Sequence, residues 1–288
     1  MSRPIDLMHL GRDRVICAYE LDGVVVDPGP STCIDALLAG LGGEPPRALL
    51  LTHIHLDHAG ATGVLVRRFP ELRVYVHERG APHLVDPARL LASAAKLYGD
   101  DMEALWGEVA PVPRERITTL AGGEEVEGCR VAYTPGHASH HVSYLDAAGN
   151  AYVGDVAGVT VPPAGLALPP TPPLDIDLEL WSGSLDTLAE WRPERLCLTH
   201  FGAIDAVEER ILRMREALVH FGELARSHGR DAFLAALDAE VREAAAGDPG
   251  IVERFTQAAP PEQLWLGLER YWRKRAEASD AAKPTGAR

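Results

Sequence analysis

The sequence is poor in the features that mark exported and membrane-bound proteins. It has four cysteines in 288 residues, and none of them forms a Cys-x-x-Cys pair. It also lacks an apolar run of the roughly 18 residues that cross a membrane, and its start lacks the basic residues and long apolar stretch of a signal peptide. We therefore expect a cytoplasmic protein without a membrane partner, whose cysteines are small core residues and not a disulfide framework.

Positive charge is also scarce in this chain. Its 28 lysines and arginines are outnumbered by 42 aspartates and glutamates, which gives a formal net charge of −14. Such a charge repels phosphate backbones, so we expect a small-molecule substrate and no nucleic acid partner. The hydrophobic fraction of 46% is ordinary for a globular protein, and the length leaves room for one large domain plus an extension.

Histidine and aspartate are concentrated in one short stretch. His53, His55, Asp57 and His58 fall within six residues, directly after the strand-like run 47–52. His53 and His55 are two residues apart, so in extended backbone their side chains point the same way. Imidazole and carboxylate groups at this density suit zinc, iron or manganese better than calcium or magnesium. The stretch therefore predicts a metal site where a strand ends.

Three further motifs place a histidine or an aspartate just past a strand-like run. They are Thr-Pro-Gly-His ending at His137, Gly-Asp ending at Asp155, and Leu-Thr-His ending at His200. The His-x-His-x-Asp-His string followed by these motifs, in this order, resembles the metallo-β-lactamase superfamily over roughly residues 5–205.

The resemblance implies a hydrolase with two divalent metal ions, zinc first, with iron or manganese as the alternatives. The implied ligands are His53, His55 and His137 for one ion, Asp57, His58 and His200 for the other, and Asp155 as a bridge between them. A hydroxide bridging the two ions would attack a small ester-like substrate, with a thioester or a lactone favoured. Asp57 would also be catalytic, because it could orient the nucleophile or pass a proton to the leaving group.

A second activity occurs on the same fold. A persulfide dioxygenase of this family uses a single iron, which His53, His137 and Asp155 would hold here. That assignment leaves Asp57, His58 and His200 without a role, so the dinuclear hydrolase is the more economical interpretation.

Four positions outside the implied ligand set bear on the site. Asp27, in Asp-Pro-Gly, is a candidate either for orienting a metal-binding histidine or for an Asx turn. Related thioesterases carry Pro-Gly-His-Thr-x-Gly-His, so we expect His141 to support the ligands or the local structure and not to bind metal. His140 replaces the glycine of that motif; it could reach the pocket, but a solvated turn residue is the favoured expectation. Related lactonases place a tyrosine where this chain has Gly158, which weakens the match to them.

The resemblance implies an α+β fold, an αββα sandwich of two mixed sheets flanked by helices, over residues 1–205. From residue 206 to 288 the apolar spacing switches to three and four, which predicts a C-terminal helical extension. This extension packs either on the catalytic domain or on the second subunit of a homodimer, and its tail after Ser279 is predicted to be disordered. The segment 78–110 is predicted to be helical in pieces. It forms either part of a lid or wall of the substrate pocket, or a dimer contact or plain packing.

Overall fold

Two six-stranded sheets form the centre of the protein in the computed structural model, which describes residues 2–281. Both sheets mix parallel and antiparallel pairs. The strands of the first sheet, in spatial order, are β1 (Arg3–Asp6), β2 (Cys17–Leu21), β3 (Val24–Val26), β4 (Ala48–Leu50), β5 (Arg73–His77) and β6 (Ile117–Leu120). The strands of the second sheet, also side by side in this order, are β7 (Glu125–Val126), β8 (Cys129–Tyr133), β9 (Val142–Asp146), β10 (Asn150–Gly154), β11 (Arg195–Leu198) and β12 (Gly202–Ile204).

The apolar strands are buried on both faces, which explains why each sheet packs against the other sheet on one side and against helices on the other. Val24 and Val26 of β3 face the layer between the sheets, whereas Val25 faces the helices outside the first sheet. In β10, Tyr152 faces the layer between the sheets and Ala151 faces the helices outside the second sheet. Because side chains alternate along a strand, continuous apolar runs of this kind require cover on each side. The αββα sandwich is thereby confirmed.

Eleven helices cover the sheets within the described residues. They are α1 (Ile34–Gly40), α2 (Leu56–Ala59), α3 (Thr62–Arg68), α4 (Ala81–Val85), α5 (Ala88–Tyr98), α6 (Met102–Trp106), α7 (Leu178–Trp191), α8 (Val207–Ser227), α9 (Arg230–Ala244), α10 (Pro249–Ala258) and α11 (Pro261–Ala281). No helix in residues 2–281 combines the length and the apolar character needed to cross a bilayer. The four cysteines are buried and unbridged, as expected.

The C-terminal helices pack on the sandwich of their own chain. Ile211, Met214 and Leu218 of α8 belong to the same apolar cluster as Trp181 of α7 and the outer face of the second sheet. A further cluster joins α8–α11 to the loop residues that follow Asp155. Helix α11 continues through Ala281, beyond the predicted start of a disordered tail, and the rest of that predicted tail lies outside the described residues.

The N-terminal strand differs from the sequence prediction. A strand was expected to continue to Leu10, but β1 ends at Asp6 and a short 3-10 helix spans His9–Gly11. The carboxylate of Asp6 accepts hydrogen bonds from the backbone N–H groups of Met8 and Arg14, and this turns the chain. The turn brings His9 to the candidate site described below.

Candidate metal centre

Four strand ends bring the predicted ligands to one place. Strands β8, β10 and β11 run in the same direction, so their carboxyl ends share one edge of the second sheet. His137, Asp155 and His200 follow these three ends, and the stretch 53–58 follows β4 of the first sheet. Gly136 makes the turn before His137 possible, because its φ is +127° and a Cβ there would lie 2.3 Å from the backbone of Trp181.

The first cluster consists of three imidazoles. His53 Nε2 lies 2.9 Å from His55 Nδ1, and His137 Nε2 lies 3.2 Å and 3.0 Å from those two atoms. Asp155 Oδ2 lies 3.2 Å from His137 Nε2. The structure therefore brings together the residues predicted to hold the first ion.

The second cluster lies on the other side of Asp155. His58 Nε2 is 3.2 Å from Asp155 Oδ1, and His200 Nε2 is 3.6 Å from the same oxygen. Asp57 Oδ2 lies 3.3 Å from His200 Nε2 and 3.8 Å from His58 Nε2. Asp155 thus presents one oxygen to each cluster, which is the position expected of a bridging ligand.

The arrangement of the nitrogen and oxygen atoms in the two clusters fits metal coordination better than it fits hydrogen bonding between these atoms. His58 Nε2, His200 Nε2 and Asp155 Oδ1 are buried and have no hydrogen-bond partner among the described residues. Three imidazole nitrogens that converge on one point cannot all be paired by hydrogen bonds. Nitrogen ligands about 2.0–2.1 Å from a tetrahedral ion lie roughly 3.3 Å apart, close to the separations found here. All ligand atoms within each candidate group lie within 4.8 Å of one another. The residues therefore fit a pair of metal ions.

Hydrogen bonds behind the centre fix the orientation of the histidines. Asp27 Oδ2 accepts from His58 Nδ1 at 2.8 Å, the carbonyl of Pro170 accepts from His137 Nδ1 at 2.9 Å, and the carbonyl of Val15 accepts from His200 Nδ1 at 2.7 Å. Each bond places the proton on Nδ1 and leaves Nε2 free to coordinate. Asp27 therefore has the orienting role, one of the two roles that the sequence left open.

The electrostatics of the centre distinguish the two clusters. Burial, reinforced by neighbouring His137, lowers the pKa of His55 to about 4. Burial also opposes the charged forms of His58 and His200, but nearby carboxylates led by Asp155 outweigh it and raise both pKa values. Burial would raise the pKa values of Asp57 and Asp155, but the adjacent imidazoles outweigh it and lower them. The second cluster thus favours positive charge between two carboxylates, which is the environment that a bound cation needs.

The residues beside the predicted ligands lie in different environments. His141 is structural, as expected, because Thr134 Oγ1 lies 2.9 Å from its Nδ1 and the Asp155 N–H points at its Nε2. Of the two alternatives for His140, the favoured one is wrong: the residue is not solvated but reaches the pocket, where it is buried against the first cluster. Gly158 has a φ of +73° and faces Met214 and Leu168, so a tyrosine at this position could not occupy the same conformation.

A cavity of about 600 Å³ opens above the two clusters. His55, Asp57, His137 and Asp155 lie on its floor. The segment 78–110 forms one wall, so the pocket interpretation of this segment is correct. The apolar residues of the walls are Leu90, Ala94, Leu97, Leu105 and Trp106 from α5 and α6, Ala258, Ala259, Pro260 and Leu264 from α10 and α11, and prolines 170, 172 and 173 from the proline-rich loop.

Sequence reasoning missed the contacts that close this cavity. His9 stacks on Trp106 with ring centroids 5.5 Å apart, and its Nε2 lies 2.9 Å from the carbonyl of Leu105. Gln257 of α10 donates to the His9 carbonyl at 3.0 Å. The N-terminal turn thus joins the two walls, and nothing in the spacing of these residues along the sequence indicates that they meet.

Comparisons with known proteins identify the family of this chain. The profile of the metallo-beta-lactamase superfamily matches residues 15–200. The metallo-beta-lactamase fold-containing protein ST1585 of Sulfurisphaera tokodaii is 29% identical over 220 residues, which are 73% of this chain and 81% of the relative. A hydroxyacylglutathione hydrolase of Salmonella paratyphi A is 30% identical over 126 residues, but the match covers only 42% of this chain and 38% of that enzyme.

Solved structures show the same fold. The crystal structure of ST1585 matches with a TM-score of 0.67 and 23% identity, over 94% of this chain and 98% of that one. TTHA1623, solved in a di-iron-bound form, matches with a TM-score of 0.51 and 28% identity, over 68% of this chain and 93% of that one. Since the family profile spans more than half of the sequence and includes all seven predicted ligands, this chain belongs to the metallo-beta-lactamase superfamily.

Proposed function

We propose that this protein is a dinuclear metal-dependent hydrolase of a small ester-like substrate, with a thioester or a lactone favoured. The observation that carries the proposal is the position of Asp155, whose two oxygens face two separate groups of imidazole nitrogens. Divalent ions held there would lower the pKa of bound water, so that hydroxide would be available near neutral pH, and would polarise a carbonyl.

The side chains of the centre have distinct parts in such a reaction. Asp57 lies on the cavity floor with 24% of its side chain exposed, and its lowered pKa keeps it ionised at neutral pH. It can therefore accept a hydrogen bond from the attacking nucleophile or carry a proton to the leaving group. Asp27 and the carbonyls of Pro170 and Val15 hold the imidazoles in place, so that little reorganisation is needed during turnover.

The cavity favours an acyl substrate over a phosphate ester. Its walls are largely apolar, and the chain as a whole carries a net charge of −14. An uncharged ester enters such a cavity at a lower electrostatic cost than a phosphodiester, which carries a negative charge. The partial match to hydroxyacylglutathione hydrolases points the same way, since those enzymes are named for the hydrolysis of a thioester.

The alternative, a persulfide dioxygenase with one iron, is less well supported. It would use His53, His137 and Asp155 only. The positions of Asp57, His58 and His200 around the second oxygen of Asp155 favour two ions, because a single iron would leave buried donors of the second cluster unpaired.

Metal content and turnover test the proposal together. Protein purified without added metal would be analysed for zinc, iron and manganese, then assayed on a thioester, a γ-lactone and an aryl phosphodiester. We expect close to two ions per chain and turnover of the thioester or the lactone. One iron per chain, with oxygen uptake on addition of a persulfide, would instead establish the dioxygenase.

A matched pair of variants locates the activity. Asp155→Ala removes the bridging carboxylate, so we expect loss of at least one ion and of turnover. Asp100→Ala removes an exposed carboxylate that does not line the cavity and should behave as wild type. Full turnover and full metal content in the Asp155 variant would show that the ligand assignment is wrong.

A further inference from the structure

His140 occupies a position that the ligand set does not explain. Its side chain is 8% exposed and lines the cavity directly beside the first cluster. The ring centroid lies 5.8 Å from that of His55, nearly perpendicular to it, and 6.2 Å from that of His53, nearly parallel to it. It is not one of the residues grouped around either metal position. A buried imidazole at such a place, outside the ligand set, calls for a different role.

The backbone around His140 is fixed from two sides. The hydroxyl of Ser139 donates to Asp175 Oδ2 at 2.6 Å, and the carbonyl of Ser139 accepts from the Tyr133 hydroxyl at 2.9 Å. Arg79 donates in turn to the Tyr133 hydroxyl at 3.0 Å. These bonds fix the backbone next to His140, and the side chain is held by packing against His53 and His55, as a substrate-binding group requires.

The surroundings of the ring select its tautomer. Nδ1 is buried and has no hydrogen-bond partner among the described residues. A buried N–H without an acceptor is rare in folded proteins and costs more than an unpaired acceptor, so Nδ1 is the unprotonated nitrogen. The N–H of the ring is then on Nε2, on the edge of the ring that meets the cavity.

We propose that His140 is a substrate-binding residue whose Nε2–H donates a hydrogen bond to an acyl oxygen of the ester-like substrate. This inference rests on the proposed function and adds to it a specific donor beside the first cluster. The thioesterases that the Pro-Gly-His motif resembles carry glycine at this position, which has no side chain to donate. The same donor serves the carboxylate product, so acetate is the smallest probe of the contact.

The tautomer can be measured without turnover. Long-range proton–nitrogen NMR correlations on the zinc-loaded protein distinguish Nδ1–H from Nε2–H, and the His140 signals are assigned by their loss in His140→Gln. We expect a neutral ring protonated on Nε2 at pH 7, and an Nε2–H signal that shifts when acetate is added. An Nδ1–H tautomer, an imidazolium at pH 7, or no response to saturating acetate would overturn the inference.

Paired variants test the donor itself. His140→Ala removes the N–H, whereas His140→Gln keeps an amide N–H at a similar distance from the backbone. We expect kcat/KM to fall on the order of tenfold or more in the alanine variant, with unchanged metal content, and the glutamine variant to recover most of the loss. Acetate affinity should follow the same order, and His228→Ala, at an exposed position on the C-terminal helices, should leave both unchanged.

The outcomes separate this inference from the proposed function. Wild-type kcat/KM and acetate affinity in His140→Ala would refute the role of His140 while leaving the hydrolase intact. A wild-type protein that binds two ions but hydrolyses none of the ester-like substrates would refute the hydrolase, and the tautomer and acetate measurements would still decide the role of His140.

Discussion

At the scale of single residues, Asp27 connects the candidate metal centre to both sheets. Its two oxygens accept from the Thr52 N–H, the Thr52 hydroxyl, the Thr199 hydroxyl and His58 Nδ1, at 2.7–3.0 Å. The side chain is fully buried, so these four donors are also the means by which its charge is compensated. A single carboxylate thus fixes the loop after β4, the loop after β11 and one predicted metal ligand.

Asp27→Asn should separate this orienting role from the shape of the side chain. Asparagine has nearly the same size, but its NH2 group would face donors that need an acceptor. We expect affinity for the ion of the second cluster to fall roughly 10–100-fold and unfolding free energy to fall by about 1–3 kcal/mol. Metal titration and urea unfolding measure the two effects. Asp35→Asn, at an exposed carboxylate on α1, is the control, and equal metal affinity in both variants would contradict the assignment.

At this scale the sequence indicated which residues meet at the candidate centre, but it did not indicate how their neighbours pack. His53, His55, Asp57 and His58 are recognisable because all four lie in one short string after a strand. His140 was misjudged because its burial depends on packing against His55 and on a bond between Ser139 and Asp175, which are 36 residues apart. Contacts of that kind leave no local pattern in the sequence.

At the scale of elements, a buried carboxylate joins the two sheets. Glu127, in the turn between β7 and β8, pairs with Arg47 and with Arg73 at 2.9 Å, and accepts from the Tyr75 hydroxyl at 2.7 Å. Only 6% of its side chain is exposed. Burial opposes the charge, but Tyr75 and Arg47 outweigh it, so the pKa of Glu127 lies below its ordinary value of 4.5.

Glu127→Gln should therefore destabilise the protein in a pH-dependent way. The pKa of Glu127 is lower in the folded protein than in the unfolded chain, so the unfolded chain binds the proton more tightly. The ionised carboxylate therefore stabilises the fold fully above pH 4.5, and this stabilisation is lost as the pH falls through the pKa of the folded state. We expect the variant to lose about 1–3 kcal/mol of unfolding free energy at pH 7 and much less at pH 3. Urea unfolding at both values, with the exposed Glu125→Gln as control, checks this; a loss that grows on acidification would contradict it.

Helix α11 is held close to the proline-rich loop that lines the cavity. A Cβ at Gly267 would lie 2.0 Å from the carbonyl oxygen of Thr171, whose hydroxyl donates to the Leu264 carbonyl at 3.0 Å. Thr171 and Leu264 both line the cavity. The absence of a side chain at position 267 therefore sets the width of the cavity at this wall.

Gly267→Ala should move this wall, and a second glycine provides the control. Where a helix has free space around the glycine, replacement by alanine raises the unfolding free energy by roughly 1 kcal/mol. We expect this gain for Gly183→Ala in α7, because nothing lies within 4 Å of the new Cβ. At position 267 the clash should outweigh this gain, lower the melting temperature and raise KM. Thermal unfolding and steady-state kinetics test the pair; equal stabilisation by both changes would show that α11 is not tightly packed there.

The elements were predictable where periodicity was strong, and were missed where it was weak. The runs 73–77, 117–120 and 142–146 predict strands because they are rich in β-branched and aromatic residues, and β5, β6 and β9 have these same bounds. The three-residue strand β12 was not predicted, since it has no apolar run and pairs only with β11. The spacing of apolar residues predicts a helix over residues 59–68, but α3 begins only at Thr62, and the separate short helix α2 ends at Ala59.

At the scale of the whole molecule, the order of the motifs was enough to predict the sandwich, but not the way the chain closes over its own site. The walls of the cavity come from the segment 78–110, the proline-rich loop and the join between α10 and α11. Their meeting depends on long-range contacts such as that of Arg12 with Gln257, 245 residues apart. The division of the chain near residue 205 therefore remains a prediction made from the sequence. In the structure, packing contacts join the two parts.

Removing residues 206–288 tests how far the two parts depend on each other. The cut would expose Trp181 of α7 and the outer face of the second sheet. It would also remove three hydrogen bonds of 2.8–3.2 Å from Arg210 to carbonyl groups of the loop after Asp155. Burial of this apolar surface contributes on the order of 25 cal/mol per Å², and domains have little stability to spare. We expect the intact chain to unfold in one thermal transition and the shortened chain to aggregate or to melt without cooperativity.

Supplying the helical part as a separate chain should restore folding and metal binding in proportion to its concentration. If the shortened chain instead melts cooperatively and retains two ions, the helices serve the cavity and not the stability of the metal centre.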